Sequence, residues 1–562
     1  MNKDSFINDT LLDVQNDQAG RNFKSNWVVL LSLACVYITE IDFDNLNTKQ
    51  GRMSILVNIV LGIACACLLA ICVPPWQSLW SRSSRQVCVF SGLSALGLSY
   101  ARIRSISDHI SEYPGRVIIF LGCFFFLYLA CMYFTNEILR VLRSSGYAVH
   151  GVELYVLTGC VLICGAVCAW FSCSTELAYT SKLAHDVIYQ FDSPAMINNM
   201  VHARFSDPTN GVHQSMFAIF AIPFAGVPYL MQALTGGSVL TFVIFESFVQ
   251  AFAIMLGFSM LGAAIGLSRK TRICWMLLLA SSFSYFLFSL CIEQYAIGFF
   301  YAALLILAVS RSGRLDKFLA YGAAGTFTTS GLMFLPAIFC SRAWRSGFRS
   351  FTKRVAGLIL ELAFIMCALM RAPLLDWIFR GSRDMLRFAS VSKHVFDLRD
   401  QIYQTVMMVR SMFLAPKSGA LDVSVILGAD TPLYPELAGF EVWGQLPVDQ
   451  FSILGSILIL LAFISAWICR REIWARMAVL HLGLGLFLTG VLGFAVSEGN
   501  LVLYSLYFGW PVPCLIAGAL RGLKLPVWAL YVFTAAACVI MLWHNIPVVA
   551  DMFRFGATHY PA

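Results

Sequence analysis

Residues 239–266 read VLTFVIFESFVQAFAIMLGFSMLGAAIG, and this stretch decides the class of fold. It exceeds the roughly 20 apolar residues that an α-helix needs to cross a bilayer. Glu246 is its only charged residue. The whole chain has the same character, because 59% of its 562 residues are hydrophobic and only 12% are charged. Soluble domains carry about a quarter charged residues. We therefore expect an all-α polytopic membrane protein.

Similar apolar runs recur along the chain and predict a helical bundle of about 13 to 15 spans with further helices in its outer loops. The other runs lie at 26–40, 54–73, 86–100, 117–134, 153–172, 274–291, 296–310, 355–370, 451–469, 478–496, 501–519 and 526–544, with a broken pair within 318–340. Block 217–236 is interpreted as an interfacial helix that is broken around Pro223 and Pro228.

The polar segments between these runs suggest five parts of the chain. They are a tail at 1–25, accessory helices at 26–152, a catalytic module at 153–370 with an outer loop at 174–238, a polar segment at 371–450 and C-terminal helices with a short tail at 451–562.

Four clusters of Lys and Arg orient the predicted bundle. They lie at 269–272, 311–317, 342–354 and 470–476. Because short cytoplasmic loops are rich in Lys and Arg, the amino terminus is expected in the cytoplasm, with the carboxyl terminus and both long polar segments outside. The net charge of +8 lies largely in these loops and gives no support for nucleic-acid binding.

Titratable residues are concentrated in one loop between two apolar runs, and this loop is the first candidate for an active site. Residues 176–214 read ELAYTSKLAHDVIYQFDSPAMINNMVHARFSDPTNGVHQ, and they hold three of the nine histidines. Carboxylates and imidazoles exchange protons near neutral pH. The candidate catalytic residues are Asp192, Asp207 and His213, with Asp186 and Glu176 as reserves.

Each candidate also has an ordinary structural interpretation. Asp192 could cap a helix that starts at Ala195, and His213 could be an interfacial residue. Asp42 and Asp44 form a D-x-D pair with a spacing that suits a metal, but two acids at the end of a membrane helix are usually interfacial. No cofactor is firmly implied. The chain has no P-loop, H-E-x-x-H, G-x-S-x-G or C-x-x-C motif, which argues against nucleotide hydrolysis, zinc proteolysis and simple esterase chemistry.

Two short polar turns and one basic segment are candidate substrate contacts. The turns hold Glu293, Gln294 and Tyr295 in one case and Glu498 and Asn500 in the other, all expected on the outer face. Arg380, Arg383, Arg387 and His394 could bind a phosphate. Because acidic residues are interleaved with these, the segment could equally be a solvated amphipathic helix.

Several motifs resemble those of the GT-C superfamily of membrane glycosyltransferases. They are FDSPAMINNM at 191–200, SDPTNGVHQSMF at 206–217, EQYAIGFFYAALL at 293–305, GTFTTSGLMFLP at 325–336 and GNLVLYSLYFGWP at 499–511. The closest likeness is to bacterial members with a loop of the form FDSPR…DM…D…HPLF. This chain has Ala195 in place of the Arg and Gln214 in place of the Pro.

The resemblance implies a GT-C-like helical bundle in a bacterial inner membrane. It implies transfer of a sugar from a polyprenyl-phosphate donor to a surface glycan, lipid or protein acceptor, with membrane lipids around the enzyme and Asp192 as the base. Two alternatives stay open. A secondary transporter or lipid flippase places ionisable residues within spans, as Glu246 and Glu361 are here. A glycan polymerase or ligase would use a pyrophosphate-linked donor.

Overall fold

The computed structural model describes residues 83–110, 116–180, 217–313, 315–325, 398–422, 441–444, 451–493, 501–522 and 526–562, with single residues at 188, 189, 191, 193, 196, 197, 200, 349, 352, 353 and 356. Within these residues, seven helices are long and apolar enough to cross a membrane, or up to eight if a bent pair forms one span. The predicted all-α polytopic membrane protein is confirmed. The predicted spans 26–40 and 54–73 lie outside the described residues, as does nearly all of 355–370.

The helices are numbered in chain order. They are α1 Arg85–Ile110, α2 Arg116–Ser144, α3 Val152–Ser174, α4 Ile222–Leu234, α5 Val239–Ile265, α6 Arg269–Ala280, α7 Phe283–Leu290, α8 Gln294–Ser312, α9 Lys317–Gly325, α10 Leu398–Ser411, α11 Ile453–Ile468, α12 Ile473–Leu486, α13 Ser505–Gly509, α14 Pro511–Gly522 and α15 Val527–His559. Phe487–Val491 continues α12 as a π-helix, and Leu501–Tyr504 precedes α13 as a 3₁₀-helix.

Serine residues begin several of these helices. The hydroxyl of a serine N-cap accepts a hydrogen bond from a backbone N–H of the first turn, which otherwise has no partner inside the helix. The four serines are Ser238 before α5, Ser268 before α6, Ser282 before α7 and Ser452 before α11. At its other end α5 stops at Gly266, whose φ of 82° lies in the left-handed region that favours glycine.

The predicted span 274–291 is a broken helix, because α6 and α7 meet at an angle of 65°. The break falls at Ser281 and Ser282, and Asn545 of α15 bridges it. The Asn545 amide nitrogen donates to the carbonyl oxygens of Ser281 at 3.1 Å and Phe413 at 3.0 Å. The backbone N–H of Ala415 donates to the Asn545 side-chain oxygen at 2.8 Å. This amide therefore satisfies the Ser281 carbonyl oxygen at the break and ties the break to the chain after α10.

Block 217–236 differs from its interpretation as a broken interfacial helix. After one helical turn at Phe217–Phe220, α4 runs unbroken through Pro228 and packs against α1 and α2. Pro223 lies at the start of α4, where its missing N–H has no partner to lose. The crossing with α1 is very close, because a Cβ on Gly97 would lie 2.2 Å from the carbonyl oxygen of Gly226.

Three arginines meet at the carboxyl end of α5, and we call this the basic end of the bundle. Arg311 donates to the carbonyl oxygen of Ala263 at 2.9 Å, and Arg521 donates to that of Ile265. Arg272 lies in van der Waals range of Gly262 in the same turn. Cations at a helix carboxyl end are favoured by its dipole. The opposite end, where α5 and α8 begin, is the site end.

The carboxyl-terminal helix is longer than the predicted span 526–544, since α15 continues to His559. Near its end, the ring of Phe555 packs 5.4 Å from that of Trp443. Trp443 belongs to a two-stranded antiparallel sheet of β1 Ala420–Asp422 and β2 Glu441–Trp443, in which Leu421 pairs with Val442.

The polar segment 371–450 also contributes to the core. Helix α10 packs against α11 and the π-helix after α12, and Met407, Met408 and Val409 are fully buried. Its carboxyl end approaches the α6–α7 break, where the backbone N–H of Phe283 donates to the carbonyl oxygen of Phe413 at 3.1 Å.

Candidate functional site

Most predicted site residues lie outside the described part of the chain. These are Asp192, Asp207, His213, Asp186, Arg380, Arg383, Arg387, His394, Glu498, Asn500, Asp42 and Asp44. Glu176, Glu293, Gln294 and Tyr295 are described. The neighbours of Asp192 are described as well, and they show where its part of the loop is attached.

Residues on both sides of Asp192 lie inside the protein. Phe191 is 1% exposed and Ser193 is 3% exposed. The Phe191 ring packs edge-to-face against Phe288 of α7, with centroids 5.2 Å apart. Met196 and Met200 are fully buried. Phe191 therefore lies against the bundle at the end of α7, and Ser193 is buried as well.

Tyr189 fixes the chain just before Asp192. Its backbone N–H donates to the carbonyl oxygen of Trp443 at 2.9 Å, and its hydroxyl lies 2.6 Å from that of Ser418. Its φ is 47°, in the left-handed region that a tyrosine rarely adopts. Gly444 leaves room for the ring, since a Cβ there would lie 2.5 Å from a Tyr189 ring carbon. Burial raises the pKa of Tyr189.

Helices α4 and α5 hold the chain just after Asp192. The Tyr229 hydroxyl of α4 donates to the carbonyl oxygen of Ile197. The Tyr229 ring packs against Phe242 of α5 with centroids 4.3 Å apart. The segment around Asp192 is thus attached to α4, α7 and β2 at the site end.

Two polar residues of α5, Glu246 and Gln250, form what we call the polar stripe. They follow Phe242 at intervals of four residues and therefore lie on the same face of the helix. The side-chain amide of Gln250 faces the carbonyl oxygens of Phe288 and Cys291, which can only accept. With the amide nitrogen assigned to that side, Gln250 donates to them at 2.8 Å and 3.2 Å. The stripe therefore runs from the Tyr229 contact to the turn that contains Glu293.

That turn is buried, whereas the sequence suggested a polar turn on the outer face. Glu293, Gln294 and Tyr295 are 1%, 3% and 2% exposed. Glu293 is the N-cap residue of α8, and its side chain makes no capping hydrogen bond. Leu501–Tyr504 and α13 cover the turn, since Tyr295 packs against Tyr504 at 5.7 Å and Tyr507 at 6.0 Å.

Phe288 of α7 contacts both Phe191, next to Asp192, and the turn that contains Glu293. Its ring contacts Phe191 beside Asp192 and also lies 5.9 Å from Tyr295 beside Glu293. The chain immediately after Glu498 and Asn500 reaches the same place through Tyr504. Phe191, Tyr295 and Tyr504, which lie next to or a few residues from these candidates in sequence, are therefore linked through aromatic contacts at the end of α7.

Glu246 is a buried acid that the candidate residues did not include. It is 0% exposed, and neither carboxyl oxygen has a hydrogen-bond partner within the described ranges. Burying a carboxylate without a partner is costly, so such a residue is usually functional when it lies inside a membrane span. The signal was present in the sequence as the only charge of residues 239–266.

Glu176 lies at the end of α3, beside the carboxyl terminus. Its backbone N–H donates to the carbonyl oxygen of Tyr560 at 2.9 Å, and the Thr175 hydroxyl donates to the same oxygen at 2.7 Å. Burial and the nearby Glu176 carboxylate raise the pKa of Tyr179 to about 12. This junction joins α3 to α15, so the backbone at Glu176 has a structural role.

A narrow pocket lies toward the basic end, away from the Asp192 segment. It is lined by Ala302, Leu305, Ile306, Ala323, Met477, His481 and Trp510. The His481 ring stacks on Trp510 at 5.3 Å, and its Nε2 lies 2.8 Å from the carbonyl oxygen of Tyr507. The apolar lining and this contact make His481 a residue of the core.

Metal ligands do not gather in the part of the chain that the structure describes. No group of three or more His, Cys, Asp or Glu side chains there could hold a metal ion. The twelve cysteines of these ranges are free thiols. The features that stand out are instead hydrogen-bonding and aromatic: Glu246, Gln250, Gln294 and the tyrosines around Phe288.

Comparisons with known proteins found no relative of this chain. No family model matches the chain. No curated protein and no solved structure matches it either. Function is therefore inferred from the residues themselves.

Proposed function

We propose that the chain is a membrane glycosyltransferase that moves a sugar from a polyprenyl-phosphate-linked donor to a glycan, lipid or protein acceptor. One observation supports this most: the described residues on either side of Asp192 pack against α7 and α4, and Tyr229, which bonds to Ile197, also packs against Phe242, one helical turn before Glu246. A carboxylate at a bundle end, next to buried amides and tyrosines, suits a ligand with many hydroxyl groups.

The reaction needs few protein groups. Asp192 accepts the proton of an acceptor hydroxyl as its oxygen bonds to the anomeric carbon, and the bond from that carbon to the phosphate oxygen breaks. The electron pair leaves with the lipid phosphate. Attack from the face opposite the phosphate inverts the anomeric centre. Arg383 is the first choice for the phosphate contact, and a helix at these positions would place Arg380 and Arg387 on the same face.

The basic end supports an orientation for this chemistry. Arg272, Arg311 and Arg521 gather there, and cytoplasmic ends of membrane helices are rich in such residues. The site end would then lie on the extracytoplasmic side. A lipid-linked sugar presents its phosphate at that surface, beside the Asp192 segment.

Sugar transfer by the purified protein tests the proposal. The protein in nanodiscs would receive a panel of radiolabelled polyprenyl-phosphate hexoses, with membranes of a deletion strain as the acceptor source. We expect transfer from at least one donor and a fall of roughly 10²-fold in Asp192→Asn, because Asn keeps the size of Asp but is no base. Asp551→Asn, a change at an exposed acid that pairs with Arg554, is the control. Equal rates in both variants would rule out Asp192 as the base.

Glu246 also favours a second function, that of a secondary transporter or flippase. Ionisable residues inside spans mark ion and substrate pathways in such proteins. Proteoliposomes would separate the two functions. Uptake or lipid flipping that depends on a proton gradient, with no sugar transfer from any donor, would favour the transporter. A donor preference for pyrophosphate carriers would favour a polymerase or ligase.

A further inference from the structure

Arg410 is a half-buried cation at the carboxyl end of α10. Its Nη1 lies 3.9 Å from the sulfur of Met407, a weak acceptor, and its Nη2 lies 3.4 Å from Nε2 of His544 on α15. Across the described ranges, no carboxylate lies within 4 Å of its guanidinium and no carbonyl oxygen of its own helix accepts from it. A guanidinium carries five N–H donors, so most of them have no strong acceptor here.

The contact between Arg410 and His544 is itself not a good hydrogen bond. Nε2 of His544 lies 2.9 Å from the carbonyl oxygen of Ala415, which can only accept. Nε2 must therefore carry a hydrogen and donate to Ala415. Two donors then face each other across 3.4 Å, an arrangement that an anion bound beside both of them would stabilise.

The surroundings of Arg410 are held firmly. Asn545, next to His544, bonds to the backbone of Ser281, Phe413 and Ala415 and so joins α15, the α6–α7 break and the chain after α10. Burial lowers the pKa of the Arg410 guanidinium, because partial desolvation disfavours the charged form. Asn545 thus fixes the backbone of the chain that follows this half-buried cation.

The surface of α15 beside His544 is apolar and exposed. Ile540, Trp543 and Ile546 of α15 are 64%, 84% and 60% exposed. A large exposed apolar surface on a membrane-spanning helix contacts acyl chains, and tryptophan is enriched where these chains meet the headgroups. Helix α6 starts at the basic end and reaches the break beside Asn545 after 12 residues. Arg410 therefore lies about 18 Å from that end, in the half of a hydrocarbon core about 30 Å thick that is nearer the site end.

We propose that Arg410, with His544 beside it, binds a phosphate group carried by a membrane lipid. Two guanidinium N–H groups would donate to two phosphate oxygens, and the lipid chains would lie along α15. The geometry suits any lipid-borne phosphate, whether of a bulk phospholipid or of a polyprenyl carrier. The site does not depend on the proposed glycosyl transfer.

Native mass spectrometry of the full-length protein would measure the lipids that it retains. Wild type, Arg410→Ala and Arg410→Lys would be compared, with Arg554→Ala as the control, since Arg554 lies on α15 and pairs with Asp551. The probes are a phosphatidylglycerol, a phosphatidylcholine, a polyprenyl phosphate and inorganic phosphate. We expect Arg410→Ala to lose about tenfold in retention of the preferred phospholipid or carrier, and Lys to restore part of it.

The arms of this experiment distinguish the sources of the phosphate. Stronger retention of polyprenyl phosphate than of either phospholipid would identify a carrier site, and the reverse a phospholipid site. Retention in Arg410→Ala equal to that of wild type would overturn the proposal, as would full displacement of lipid by inorganic phosphate. Unfolding midpoints of all variants show whether they fold, and a poorly folded Ala variant would leave the test to Lys and to His544→Ala.

Discussion

Arg272 of α6 donates from Nε and Nη2 to the two carboxylate oxygens of Glu153 in the first turn of α3. Glu153 is fully buried, and the Ser259 hydroxyl of α5 also donates to it at 2.9 Å. The Tyr147 hydroxyl in turn donates to Ser259 at 2.8 Å. One carboxylate therefore holds three helices together at the basic end.

Removing one partner of this pair should leave an uncompensated charge inside the protein. We expect Glu153→Leu to lower the free energy of unfolding by about 3–5 kcal/mol. The double variant Glu153→Leu/Arg272→Met should recover much of the loss, since it removes both charges. Chemical unfolding of the purified variants in detergent would measure both. If the double variant is less stable than the single one, the stability is lost because the ion pair is missing, and not because Arg272 is left without a partner.

The close crossing of α1 and α4 predicts that position 226 tolerates no residue larger than glycine. A Cβ at Gly226 would lie 2.3 Å from the Cβ of Ser94, so Gly226→Ala must push the helices apart. We expect a loss of about 1–3 kcal/mol or more. Gly122→Ala on α2 is the matched control, because nothing lies within 4 Å of its Cβ position. Alanine there should be neutral or stabilising by up to about 1 kcal/mol. Thermal unfolding of the two variants would compare them, and equal midpoints would contradict the close crossing.

The sequence predicts several continuous spans well and the broken span of α6 and α7 poorly. The runs 239–266, 296–310 and 451–469 correspond to α5, α8 and α11 within about two residues, because hydrophobicity alone determines them. The α6–α7 break was not predicted, since Asn545 stabilises it from more than 260 residues away in sequence. Ser282, a good N-cap, was the only local sign of it.

In the candidate site, too, the sequence predicts some features, whereas others depend on residues far along the chain. Clustered acids and histidines indicated the loop at 176–214, and Phe191 of this loop packs against Phe288, which also contacts Tyr295 in the Glu293 turn. The burial of Glu293, Gln294 and Tyr295 was not predictable, because the cover comes from Tyr504 and Tyr507 far along the chain. Glu246 was visible as a charge in an apolar run, but its lack of a partner within the described ranges is a property of the folded bundle.

Orientation is testable with two exposed positions. Lys417 lies near the end of α10 that meets Asn545, and Arg471 lies in the turn between α11 and α12. In a Cys173→Ser background, which removes an exposed native thiol, each would be changed to Cys. We expect an impermeant maleimide added to intact cells to label Lys417→Cys and to leave Arg471→Cys unlabelled. Labelling of Arg471→Cys alone would place the basic end outside and would move the Asp192 segment to the cytoplasmic side.

Two buried glutamates should respond to the same substitution with opposite signs. Glu153 has a bidentate arginine partner, whereas both oxygens of Glu246 lack a partner in the described part of the chain. Glu246→Leu removes a polar group that is buried without compensation, so we expect it to raise the free energy of unfolding by about 1–3 kcal/mol. A residue that costs stability is retained when function needs it, so sugar transfer or transport should fall at least tenfold in Glu246→Leu and in Glu246→Gln. Unfolding and activity would be measured on the same preparations, with Glu153→Leu alongside. A Glu246→Leu variant that is both fully active and more stable would show that this carboxyl group has no functional role.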